Sequence, residues 1–216
     1  MDPAVRLPSS PSQHPPPTPA SPTQPPEPGL PCAPHRHYAP VMSRDLGAGS
    51  DDDLVAHPAV SRVRETLASL GAPGEIRILP DHARTAAQAA EQLGVQVGQI
   101  ANSLVFEVPD DEASGGKRAL LVLTSGAHRV DTAHIADILA VERLDRAGPD
   151  FVRSRTGFAI GGVAPVGHKH PLQTLVDVTL ASYEEIWAAG GHPKAVFPTH
   201  YDELLRITAG QPVEVE

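Results

Sequence analysis

The chain has 216 residues and a net charge of −9, and it is 40% hydrophobic but only 4% aromatic. No run approaches 18 apolar residues, so no transmembrane helix is expected, and a single cysteine, Cys32, excludes an internal disulfide framework or zinc–thiolate site. The charge lies beyond residue 50, because the first fifty residues balance three basic against three acidic ones; so acidic a body argues against a broad DNA-binding face.

Of 24 prolines, 14 fall in the first 40 residues. With Ser, Thr and Gln they leave too little apolar surface to order the segment, so residues 1–50 are expected as a disordered Pro-rich tail. Its PxxP-like spacings would suit an SH3-like partner. Met42 offers an alternative start, which would make residues 1–41 an upstream extension. The N-terminus lacks a basic segment followed by an apolar one, so no secretory signal is expected, and the cytoplasm is the default location.

The folded body is expected over 53–216. Residues 57–71 read as a helix: Pro58 suits the first turn, Val60, Val63, Leu67 and Leu70 follow helical spacing, and Gly71 suits the stop. Residues 75–79 alternate like a short strand. Thr85 to Gln88 form a capping-box pattern that opens a helix ending at Gly94. Residues 100–108 and 119–125 read as strands around a polar hairpin-like loop. Asp131 caps a helix, 141–145 read as a short strand, and 148–157 as a short helix closed by Gly157. Residues 158–171 are irregular. Then come a strand (174–180), a helix opened by the capping box Ser182–Glu185 and running to Gly191, a strand (194–198), a helix opened by Thr199 with Asp202, and an edge strand (212–215). Without regular βαβ alternation, this order predicts an α+β domain with a mixed sheet, one that can curl, rather than a doubly wound fold.

The segment Gly161-Gly162-Val163-Ala164-Pro165-Val166-Gly167-His168 cannot be a regular helix or strand. Its glycines let the backbone approach a ligand, and successive N–H groups there can polarise a carbonyl or hold an anion; a tight connection explains the same residues. No nucleophile elbow is present, and the body histidines show no zinc spacing, so no metal and no cofactor are expected. His192 sits in a Gly-Gly-His-Pro turn. Glu184-Glu185 reads as solvated charge, and Ile186 and Trp187 as core.

Taken in order, the segments resemble a known family. They are Thr85-x-x-x-Ala89-x-x-Leu93-Gly94, Gln99-Ile100-x-x-Ser103-Leu104-Val105-Phe106, Leu121 to Gly126, Arg129-Val130-Asp131, Gly161 to His168, Leu175-Val176-Asp177 and Gly191-His192-Pro193. Together they resemble the YbaK family, the aminoacyl-tRNA editing domain also found inserted in bacterial prolyl-tRNA synthetases. The resemblance spans about residues 57–215.

It implies a mixed, barrel-like sheet with flanking helices and a metal-independent deacylase, here free-standing, that hydrolyses the ester of misacylated tRNA. The implied partners are the 3′ end of aminoacyl-tRNA and a synthetase, with no DNA and no membrane. By the same likeness, the backbone of Gly161 and Gly162 holds the carbonyl, and Pro165 shapes a pocket that selects the amino acid by size. Thr85, Ser125, Gly126, Val163, His168, Asp177 and His192 are the further substrate-contact candidates. Water attacks with help from backbone dipoles and the terminal ribose hydroxyl.

One position departs from the family. Asn102 stands where the family usually carries a lysine that contacts the terminal nucleotide. Asparagine keeps hydrogen-bonding capacity but no charge. Lys169 is a candidate for restoring that charge, and Arg118, Arg129, Arg153 and Arg155 are candidates for a local positive rim. The alternative reading is a module that binds aminoacyl-tRNA without hydrolysing it; a third is an interaction protein working through its tail.

Overall fold

The computed structural model describes residues 51–110 and 116–216. The proposed tail and the tip of the hairpin loop lie outside these residues. A short helix that the sequence reading did not anticipate, α1 (Asp51–Val55), leads into α2 (Pro58–Ser69). Pro58 occupies the first turn of α2, where its missing N–H costs nothing, and the His57 ring accepts from Ala59 N. α2 buries Ala59, Val60, Val63 and Leu67 along one stripe. Thr85 caps α3 (Ala86–Leu93) by accepting from Gln88 N, and Gly94 ends it at φ 71°.

The centre of the domain is one long hairpin. β2 (Ile100–Asp110) and β3 (Gly116–Ser125) pair antiparallel from Ala101↔Ser125 to Asp110↔Gly116. β3 is buried from Ala119 onward on both faces, as its unbroken apolar run requires. Around this hairpin lie β1 (Arg77–Ile78), β4 (Asp145–Arg146), β5 (Gln173–Asp177), β6 (Ile186–Ala189), β7 (Ala195–Thr199) and β8 (Gln211–Val213). The eight-stranded sheet runs β1-β7-β6-β2-β3-β5-β8, with β4 paired to β2 outside that path. Pairings β2–β6, β3–β5 and β5–β8 are parallel and the others antiparallel, so the sheet is mixed, as expected.

Three clusters fill the space around the sheet. Val63 and Leu67 of α2, Val163 and Val166 of the glycine loop, and Leu204 and Ile207 of α6 (Tyr201–Thr208) pack on one side of the hairpin. Ile135 and Ala136 of α4 (Thr132–Ile138) pack against Phe106, Leu120 and Val122 on the other. Ala89 and Ala90 of α3 cover Ile100 and Trp187. α5 (Pro149–Thr156) ends at Gly157, φ 77°, where the glycine loop begins.

One expected element is wrong in type. Residues 182–191 were expected as a helix, but 178–182 form a 3-10 turn and 186–189 form β6, parallel to β2. Ile186, Trp187 and Ala188 are consecutive and all buried, at 0, 3 and 1% exposure. A strand covered on both faces buries three residues in a row this way, whereas a helix with one face to solvent does not. The strand expected over 174–180 also stops early, at Asp177, because its carboxylate accepts from Thr179 N and starts the turn.

Candidate active site

β2 is flanked on one edge by two short partners. Ile100 and Ala101 pair with β6, and Phe106 and Glu107 pair with β4. Between them, residues 102–104 have no strand partner on that edge, while the Val105 carbonyl accepts from Ala147 N just beyond β4. Peptide groups left unpaired in the middle of a sheet are a ready hydrogen-bonding surface. The glycine loop packs beside this gap.

Two pockets meet there. A cleft of about 600 Å³ is lined by Asn102 to Phe106 and includes His128, Arg129, Arg146 and Ile160. A smaller pocket of about 110 Å³ runs between α3 and β6, where Ala86, Ala89, Ala188 and Trp187 line it. Asn102, Ser103, Gly161 and Val163 line both pockets. No carboxylate lines either one among the described residues, whereas Arg84, Arg129 and Arg146 do line them. A separate groove of about 460 Å³ beside β1 carries Glu75, Glu185 and Glu203, the wrong sign for a nucleotide.

The loop is held in an unusual shape. Gly161 has φ 87°, a region L side chains rarely adopt, while an added Cβ would meet only Pro193 at an ordinary 3.6 Å. A Cβ on Gly162 would lie 2.9 Å from the His192 Cα, so the loop and the 190–193 turn touch backbone to backbone. The Gly162 N–H is taken by the Ala159 carbonyl at 3.0 Å. Of the two glycines expected to present N–H groups, Gly162 therefore has its N–H engaged within a turn of the loop itself.

A residue that the sequence reading missed fixes both ends of this loop. Arg62, on α2, donates from Nε to the Gly167 carbonyl (2.8 Å) and from Nη2 to the Gly157 carbonyl (3.1 Å). Its guanidinium also sits 4.5 Å over the Phe158 ring. An arginine inside a regular helix leaves no local sequence signal of such a role; only its contacts 95 and 105 residues away show it.

The other expected site residues divide. Thr85 and His192 line the small pocket. His192 is packed between His57 and His82, with ring centroids 5.3 and 5.6 Å away, and its Nδ1 accepts from Lys194 N. Burial, then the neighbouring His57, His82 and Lys194, push its pKa down, which favours the neutral ring. Ser125, Gly126, Pro165, His168 and Asp177 lie outside both linings. Asp177 is 1% exposed and accepts from Ser125 N, Thr124 Oγ1 and Thr179 N, with His128 Nδ1 at 3.0 Å. Its bonds to Thr124 and Ser125 brace the end of β3. His168 bonds the Ala164 carbonyl at 2.8 Å, and burial lowers its pKa. Lys169 packs near Gly157 and Arg62 rather than in the pockets. Of the candidate rim cations only Arg129 lines the cleft; Arg84 and Arg146 were not anticipated.

This fold and site define an aminoacyl-tRNA editing domain. The model of that family, described as "Aminoacyl-tRNA editing domain", matches residues 80–207, and the chain belongs to it. The chain is similar to a crystal structure described as "a putative trans-editing enzyme for prolyl tRNA synthetase", with 41% identity and a TM-score of 0.65 over 74% of this chain and 97% of that one. It is similar to the crystal structure of hypothetical protein APE2540, with 25% identity and a TM-score of 0.63 over 71% and 98% of the two chains. It is also 27% identical, over 57% of its length and 74% of the other's, to the uncharacterized protein YwhH of Bacillus subtilis (strain 168).

Proposed function

We propose that the chain is an aminoacyl-tRNA deacylase that hydrolyses the ester joining a small, wrongly attached amino acid to the 3′ end of tRNA. The observation that carries this reading is the junction at Gly161. A backbone with positive φ faces an unpaired strand edge where a small apolar pocket meets a larger cleft with arginines at its rim. The amino-acid side chain enters the small pocket, whose alanine walls leave no room for a large one. The terminal nucleotide lies in the cleft, and Arg129 and Arg146 meet its phosphates.

The ester carbonyl then sits at the junction. The N–H groups of Gly161 and Val163 polarise it, and water attacks with the ribose hydroxyl assisting. One such donor is worth about 3 kcal/mol, or roughly a hundredfold in rate. An aminoacyl ester is already activated, so this arrangement needs no protein nucleophile. Arg62 keeps the loop in register by holding both of its ends.

A second reading is supported by Asn102, which lines both pockets without charge; no lysine lines either of them. Under it the domain holds aminoacyl-tRNA and does not turn it over. Incubation with a panel of mischarged tRNAs separates the two. Catalytic loss of one aminoacyl group, slowed about tenfold or more by Gly161→Ala, establishes the deacylase. Saturable binding with an unchanged ester half-life establishes the binding module instead.

A further inference from the structure

Ser103 is the least explained residue of the site. Its Oγ is buried and has no hydrogen-bond partner. Leaving a hydroxyl buried and unpaired costs about 1–3 kcal/mol, and a native chain has a reason when it tolerates that. Ser103 is also one of the four residues lining both pockets.

Its backbone is equally placed. On β2 the Val105 carbonyl accepts from Ala147 N at 3.2 Å, on the side of β4, and the Ile100 carbonyl accepts from Gly126 N on the side of β3. Peptide groups alternate in direction along a strand. Ser103, two residues before Val105, therefore turns its N–H and C=O toward the gap between β6 and β4. Cross-strand pairing sets Ser103 opposite Leu123, which packs in the same cluster as Val163 of the glycine loop. One residue thus offers two acceptors, a strand-edge carbonyl and a hydroxyl, next to the donors of the loop.

An aminoacyl ester presents a carbonyl that needs donors and, one bond from its α-carbon, an amine that needs acceptors. We propose that Ser103 is the α-amine receptor, and that the substrate class is restricted to esters of amino acids with a free α-amine. N-acylated and peptidyl esters are then excluded, because acylation removes donors and adds bulk where the strand edge and the loop approach each other. Among the described residues no carboxylate lines the pockets to take the amine instead. This inference rests on the aminoacyl-ester reading above.

The test uses the full chain and a pair of non-hydrolysable probes: 3′-amino-3′-deoxyadenosine bearing amide-linked alanine, with its α-amine either free or acetylated. Binding is measured by calorimetry, and hydrolysis of alanyl-tRNA and N-acetyl-alanyl-tRNA in parallel. The free amine is expected to bind about tenfold tighter or more. Ser103→Ala should erase that preference by weakening the free-amine probe alone, and Ser103→Thr should keep it. Ser103→Ala should also leave the urea midpoint unchanged or raised, since it removes an unpaired buried hydroxyl; a merely structural serine would show a lowered midpoint and equal losses for both probes. Equal affinity for the two probes alongside hydrolysis overturns the inference and leaves the deacylase standing. Selective binding without hydrolysis of either tRNA keeps the inference and removes the deacylase. Binding of neither probe with hydrolysis of neither tRNA overturns both, and equal hydrolysis of the two tRNAs overturns the inference alone.

Discussion

At the scale of single residues, neighbouring glycines should fail for different reasons. Gly161→Ala makes only an ordinary contact with Pro193 but places a side chain at φ 87°, a strain of about 1–2 kcal/mol that relaxes by shifting the loop. The expected result is a fall in kcat of roughly tenfold to a hundredfold with a nearly unchanged melting temperature. Gly162→Ala drives its Cβ to 2.9–3.0 Å from the His192 backbone. Loop and turn must then separate, so thermal stability and activity should drop together, by more than Gly161→Ala costs in stability. Asn102 is a third case. Asn102→Lys restores a cation between the two pockets and should raise deacylation at least several-fold; no change would mean that the charge is not what limits this site.

At the scale of elements, the glycine loop depends on a helix far away in sequence. Arg62 bonds two carbonyls with separate nitrogens of one planar group, which lysine cannot reproduce. Arg62→Lys should keep the fold, lower kcat, and increase hydrogen exchange of the 158–167 amides specifically; unchanged exchange there would separate Arg62 from loop positioning. Other elements show where local signals suffice. The Thr85 cap, the Asp131 cap with its bonds to Ala133 N and His134 N, and the Gly157 stop all sit where sequence reading placed them. Each is an interaction within four residues, so short windows contain it. The capping-box pattern at Ser182–Glu185 misleads for the opposite reason. Its local preference loses to pairing with β2 and β7 and to burial of Ile186 and Ala188 in one cluster and Trp187 in another.

At the scale of the whole molecule, two collective properties can be tested. The chain is strongly acidic, yet among the described residues the pockets at the β2 gap are lined by arginine and histidine without carboxylates. Arg129→Gln with Arg146→Gln should raise KM for tRNA several-fold, change kcat little, and flatten the salt dependence of KM. The second property is acid sensitivity. His168 and His192 are both held below their ordinary value near 6.5, chiefly by burial. The unfolded chain takes up these protons as the pH drops through that value while the folded chain resists, so more protons bind to the unfolded state in that window. Stability is therefore complete above about pH 6.5 and declines below it until the folded histidines also titrate. Urea midpoints between pH 7.5 and 5 check this, and His168→Gln should make the decline shallower.

The sequence by itself determined the helix caps and stops, the long apolar hairpin, the mixed α+β class and, through an ordered set of short motifs, the editing-domain family. These are properties of neighbouring residues or of their order, which need no knowledge of what packs on them. Only the tertiary structure decided that residues 186–189 form a strand and that Arg62 clamps the loop. It also removed Asp177 and His168 from the pockets, used up the Gly162 N–H in a turn, and left the edge of β2 open around Ser103. Each of these follows from contacts between segments tens of residues apart, where burial and strand pairing outweigh local preference.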